Sequence, residues 1–199
     1  MTVTKYTLVL ILLASLPFQF ARAQEEDEKE RNFRIEIEPS SFFLRGVSAS
    51  VQYAITKDRH LSLGPYLATV DIPVFPRKRM FDNVGADTTS ARLGFQIALM
   101  ARYRINLFKE MESNPYVGLI AGWEYFDIKQ PYSPETVRLT TYVLTPYLGY
   151  ELYYFRKMLY VNPQIRSVFY LGQGTDHPER PERVSSFFLL PQISLGIRL

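Results

Sequence analysis

The chain has 199 residues, a formal charge of +3 and no cysteine. That length suits a single domain, and the missing cysteines exclude both a disulfide framework and a thiol that could carry a lipid anchor. Leaving out Lys5 and Arg22 takes the charge from +3 to +1, and the −3 of residues 25–31 leaves +4 for the remainder.

In chain order, Lys5 precedes an apolar run from Leu8 to Leu13, continued by Ala14, Leu16 and Phe18, and Ala21-Arg22-Ala23 is a small-x-small pattern before Gln24. This predicts a cleaved secretory signal over residues 1–23, because the run is short of the ~20 apolar residues a spanning helix needs. Glu25-Glu26-Asp27-Glu28-Lys29-Glu30-Arg31 predicts a solvated, flexible acidic leader over residues 24–32. No later segment is long and apolar enough to span a membrane as a helix.

From Phe33 onward the period is two, the spacing of strands with one apolar and one polar face. Phe33, Ile35 and Ile37 alternate with Arg34 and Glu36. Val47 to Ile55, Leu61 to Leu67, and Leu93 to Ile105 follow the same rule. So do Val117 to Tyr125, Tyr142 to Leu152, and Leu159 to Leu171. The last run, from Phe187 to Leu199, is apolar at every second position, which predicts a strand that pairs with the first to close a cylinder. The expectation is one all-β domain over residues 33–199, an antiparallel up-and-down transmembrane β-barrel of about eight strands.

Connections over 39–45, 72–90, 127–136 and 172–183 read as long and rich in Pro, Gly, Asp and Thr. Those over 57–59, 108–114 and 156–158 read as tight and charged. Alternation of long and short connections is the pattern of a barrel with external loops and periplasmic turns. Pro65, Pro146, Pro163 and Pro191 fall inside apparent strands, where each removes a ladder donor. Bulges or bends are expected at these positions, with Pro191 the most disruptive.

One face of the strands is Leu, Ile, Val, Phe and Tyr. The other carries Arg34, Glu36, Arg92, Arg102, Arg104, Glu124, Glu151, Arg166 and Arg198. Strands near ten residues, uninterrupted apolar faces, and Phe33, Tyr53, Tyr103, Tyr125 and Phe169 near strand ends all favour charges inside and lipid outside. Buried charges must be paired, and an eight-stranded barrel is filled by its own side chains. The nine charged residues are therefore expected to form a network that plugs the lumen.

The signal, the amphipathic strands, the alternating connections and the apolar last strand together resemble the small bacterial outer-membrane β-barrel proteins, of the OmpA transmembrane domain, OmpX and OmpW kind. Asn114-Pro115-Tyr116-Val117-Gly118 and Thr145-Pro146-Tyr147-Leu148-Gly149 have the Pro-Tyr-aliphatic flavour of such barrels. The resemblance implies recognition of the last strand by the barrel-assembly machinery, although the chain ends on Leu199 where many members end on Phe. No wall-binding domain follows the barrel, so a peptidoglycan tether is not implied.

Candidate chemistry is sparse. His60 is expected at the periplasmic rim. His177, beside Asp176 and near Ser185 and Ser186, is expected in an external loop. No Ser-x-His pair suggests a lipid-modifying enzyme, and Asp176, His177 and Glu179 are too few and too close for a metal site. Arg77, Lys78 and Arg79, with Arg180 and Arg183, are candidate contacts for lipopolysaccharide phosphates. The reading is a non-enzymatic envelope protein of the bacterial outer membrane, structural, adhesive or binding, without cofactor or metal. Its partners are outer-membrane lipids and lipopolysaccharide rather than nucleic acid, and it is expected to be a monomer. Passage of a small hydrophobic or ionic solute is the alternative, and a lipid-modifying enzyme the third.

Overall fold

The computed structural model describes residues 32–73, 80–82, 90–105, 114–129, 135–154, 158–176 and 183–199. The signal over 1–23 and all of the acidic leader but Asn32 lie outside them. The strands are β1 (Phe33–Ile37), β2 (Val47–Ala54), β3 (Leu61–Ile72), β4 (Phe81–Asp82), β5 (Ser90–Arg104) and β6 (Asn114–Lys129), then β7 (Thr136–Tyr154), β8 (Leu159–Thr175), β9 (Arg183–Val184) and β10 (Phe187–Arg198). Eight of them close into an antiparallel barrel in the order β1-β10-β8-β7-β6-β5-β3-β2, while β4 and β9 form a separate two-stranded ribbon. Closure is made by β1 on β10, with Arg34 opposite Arg198 and Ile37 opposite Leu195. Backbone hydrogen bonds run both ways between Phe33 and Leu199.

Burial decides which face is inside. Ile97, Leu99, Ile165 and Ile193 are exposed, whereas Arg34, Glu36, Arg102, Glu151 and Arg166 are buried. Apolar-out and charge-in is the arrangement of a barrel bathed in lipid, the reverse of a water-soluble one. Aromatic side chains flank the apolar band. Phe33 and Tyr53 pack with ring centroids 5.0 Å apart at the end with the short turns, and Phe169 and Phe187 pack at 5.0 Å towards the other.

The four strand prolines do not shift the register. Each projects outward and keeps its partner on one side: Pro65 opposite Leu99, Pro146 opposite Leu119, Pro163 opposite Ile193 and Pro191 opposite Ile165. The physical reason is that a residue in an antiparallel ladder bonds to only one of its two neighbours. A proline therefore opens one side and leaves the other. The real irregularities lie between Ala68 and Val70, Leu93 and Phe95, and Thr141 and Tyr142. The last is completed by Gly172 at φ +68°, whose carbonyl accepts from the Thr141 hydroxyl at 2.8 Å.

The strands also run further than their polarity suggests. β6 and β7 pair without a break from Asn114 opposite Glu151 to Lys129 opposite Thr136. The expected long connection over 127–136 thus shrinks to 130–135, because Phe126, Ile128, Val137 and Leu139 continue the buried inner face. Over 39–45 the chain forms not an open loop but a short helix, α1 (Pro39–Phe43), with proline in its first turn, where a missing N–H costs nothing. α1 ends with Arg45 in the left-handed region at φ +52°. The Gly46 N–H donates to Ser41 and the Arg45 N–H to Phe42.

Candidate functional site

The lumen is filled in two tiers. In the lower one, Arg102 lies fully buried on β5 and grips Glu36 of β1 with two bonds, at 2.5 and 2.8 Å. Arg102 also reaches Glu151 of β7 at 3.0 Å, and Arg34 reaches the same oxygen at 3.0 Å. Arg104 completes the group at 3.3 Å from the other oxygen of Glu151, which also accepts from Tyr153. Tyr160 donates to Glu36 at 2.7 Å, and Tyr116 donates to Asn162. The Arg102 guanidinium lies over the Tyr116 ring, 4.4 Å from its centroid. These side chains come from β1, β5, β6, β7 and β8, so the network spans the cylinder from wall to wall.

The upper tier joins Arg166 of β8 to Glu38, and to Tyr66 at 3.1 Å. Tyr66 in turn donates to Glu38 and meets Ser48 at 2.7 Å. Bidentate and aromatic contacts of this kind are what a guanidinium, with its planar fork of donors, makes best.

Glycines make room for the tyrosines. A Cβ on Gly118 would lie 2.2 Å from Cζ of Tyr147, and one on Gly149 would lie 2.1 Å from the Tyr116 hydroxyl. Tyr147 sits opposite Gly118 and Tyr116 opposite Gly149 in the β6–β7 ladder. The two Pro-Tyr-aliphatic-Gly segments thus exchange rings for gaps.

Above the tiers is a cavity of about 270 Å³. Its wall is mostly apolar, with Ile120, Phe126, Val143, Val168 and Phe188 and also Met80, and Gln96, Glu124 and Arg166 are among its polar members. The β4–β9 ribbon packs onto the mouth through Phe81, whose ring meets Phe126 edge-on at 5.2 Å, and through the Val184 backbone, which accepts from the Gln173 side-chain amide of β8 at 2.5 Å and donates to its oxygen at 3.1 Å. On one side the lining reaches Ser40, Ser41 and Leu44 around α1 and the outward-facing Pro191 of β10. There the wall has no ladder: β1 pairs with β10 only from Leu195 onward.

Seven of the nine residues expected to fill the lumen lie inside. Arg34, Glu36, Arg102, Arg104 and Glu151 form the lower tier, Arg166 the upper, and Glu124 the cavity wall. Arg198 is half-buried, 5.9 Å from the centroid of the Tyr153 ring. Arg92 is a correction. The irregularity between Leu93 and Phe95 reverses the parity of β5, so Leu93 turns inward while Arg92 turns outward at 45% exposure, 2.8 Å from Asp71. Glu38 was missed as a network member, although it continues the parity of Arg34 and Glu36. The tyrosine hydroxyls left no signal in a count of charges.

His60 lies in the turn between β2 and β3, its Nδ1 2.9 Å from the Arg104 carbonyl. Beside it, bonds from the Thr56 hydroxyl and the His60 N–H hold the Asp58 carboxyl below its ordinary range. His177, Glu179, Arg77, Lys78, Arg79 and Arg180 lie outside the described residues, while Arg183 is exposed on β9.

A closed eight-strand ring, lipid-type outer face and charged interior define a small outer-membrane β-barrel, and by fold that is the class of this chain. Neither a family model nor a curated protein matches it. Among solved structures it is similar to the N-terminal β-barrel domain of Pseudomonas aeruginosa OprF, with a TM-score of 0.50 and 16% identity over 85% of this chain and 98% of that one. It is also similar to Neisserial surface protein A, NspA, with a TM-score of 0.53 and 13% identity over 84% of this chain and 96% of that one. At such identities the likeness carries the architecture alone.

Proposed function

We propose that this chain is a non-enzymatic barrel of the bacterial outer membrane that binds rather than conducts, inserted by the barrel-assembly machinery and held by outer-membrane lipids. The observation that carries the reading is the lower tier, where Arg102 joins Glu36 on one wall to Glu151 on another. Ions crossing the lumen would have to break a bidentate pair in a dry interior, which is strongly unfavourable. In planar bilayers the purified chain is expected to give no stable conductance, and a large steady current would overturn the reading. External lipopolysaccharide contact through Arg77, Lys78, Arg79, Arg180 and Arg183 belongs to the same proposal. It predicts that replacing these five by Gln weakens binding to lipopolysaccharide micelles.

A second reading, passage of a small apolar solute through the wall, is favoured by the gap in the ladder between α1 and the upper half of β10. Uptake of a labelled apolar solute into proteoliposomes, without ion current, would favour it over simple binding.

A further inference from the structure

Resting on the binding reading, we propose that the cavity in the external half of the lumen holds a small apolar amine, its ammonium on Glu124 and its body against the aliphatic wall. Glu124 is only 3% exposed. Its Oε1 has no hydrogen-bond partner among the described residues, and the Tyr170 hydroxyl is its polar neighbour. No arginine or lysine pairs with it among the described residues. Among the described residues, every other carboxylate inside the barrel is met by a guanidinium: Glu36 by Arg102, Glu151 by Arg34, Arg102 and Arg104, and Glu38 by Arg166. Arg166 also lines the cavity, but Glu38 already matches its charge.

Around Glu124 the cavity presents Ile120, Phe126, Val143, Val168 and Phe188, with Gln96 opposite it on β5. An acceptor with an open lone pair in such surroundings costs free energy until a donor reaches it, and a cation satisfies both its hydrogen bond and its charge. A second carboxylate would repel it, and a purely apolar guest would leave it orphaned. The volume of about 270 Å³ exceeds the roughly 150 Å³ that accommodates benzene in an engineered cavity. There is room for a two-ring body with a short amino arm.

The test uses the full chain in lipid nanodiscs and isothermal titration with three isosteric probes: tryptamine, its neutral alcohol analogue tryptophol, and indole-3-acetate, with empty nanodiscs subtracted. Tryptamine is expected to bind at least tenfold more tightly than tryptophol, with no binding by the acid. Glu124→Gln is expected to abolish that preference, tryptamine and tryptophol then binding alike, and that residual binding reports an intact cavity. Val143→Phe, which fills the cavity and keeps Glu124, is expected to weaken both. If Glu124→Gln does not fold, Glu124→Asp is expected to keep the preference at lower affinity. Equal binding of amine and alcohol by the native chain, an unchanged preference in Glu124→Gln, or no binding of any probe would overturn the proposal. A conducting barrel that still selects tryptamine would overturn the non-conducting reading alone, and a silent barrel that ignores tryptamine would overturn this one alone.

Discussion

Tyr116 and Tyr147 each occupy the place where the glycine opposite lacks a side chain, their ring centroids 5.7 Å apart and their planes at 69°. Any Cβ at Gly118 must displace the Tyr147 ring, so Gly118→Ala is expected to destabilise the barrel by ~1–3 kcal/mol, the usual range for overpacking. Urea unfolding in vesicles would measure it, and adding Tyr147→Ala should remove most of the clash. Arg45 presents the opposite case. It stands in the left-handed position that closes α1, where glycine is usual. Arg45→Gly is expected to stabilise the chain by ~0.5–1 kcal/mol, the relief of strain exceeding the added freedom of the unfolded state. The Pro-Tyr-aliphatic-Gly segments were legible in the sequence as a pair of motifs. Their reciprocal fit was not, because it depends on a register fixed by the whole β6–β7 hairpin. Arg92 was misplaced for a related reason: one irregular step near Gly94 reverses a strand's faces, and an alternation count cannot register it. Glu124 could be placed inside by parity, but that it alone among the described inner carboxylates lacks a cation depends on which strands oppose it.

Among the elements, β1 has 5 residues and β7 has 19. A tilted crossing needs about 9–11 residues, so the upper parts of β6, β7 and β8 project beyond the apolar band. Where they leave it, an outward row of alternating charge runs across neighbouring strands, with Asp71 opposite Arg92, Arg92 opposite Asp127 and Asp127 opposite Arg138. Arg92 binds Asp71 at 2.8 Å and Arg138 binds Asp127 at 2.9 Å. These exposed pairs are worth little in stability, but they mark the level at which lipid gives way to water. The number and phase of the strands could be read from period two, because lipid enforces it. Their ends could not, since the inner face stays apolar above the membrane. Proline placement yields a prediction at this scale. Pro191 keeps its partner on β8, and its other side has no ladder, so Pro191→Ala is expected to change stability by less than ~0.5 kcal/mol. Leu119→Pro, at a position paired with both Ala101 and Pro146, is expected to lower stability clearly more than Pro191→Ala does, because it removes a ladder donor between two paired strands. Comparative urea midpoints would check both.

At the scale of the molecule, the two charged tiers do for the barrel's lower half what a hydrophobic core does for a soluble domain, with less net gain because both partners are desolvated. Removing one member should therefore be worse than never having had either. Arg102→Ala, which strands Glu36 and takes one of three guanidiniums from Glu151, is expected to cost ~3–5 kcal/mol, whereas replacing Arg102 and Glu36 together by apolar residues of similar size should cost much less. Unfolding midpoints of the single and double variants would show it. The joint between β1 and β10 has its own consequence. Four register pairs and the Phe33–Leu199 backbone bonds make that joint, against sixteen pairs between β6 and β7. The cylinder is a zip with one short run of teeth, so under thermal agitation or pulling it should part there before anywhere else. Amide hydrogen exchange is expected to reach Ile35 and Ile197 first, while Trp123 and Tyr142 are still protected. Insertion, run in reverse order, would then end by fastening the first strand to the last.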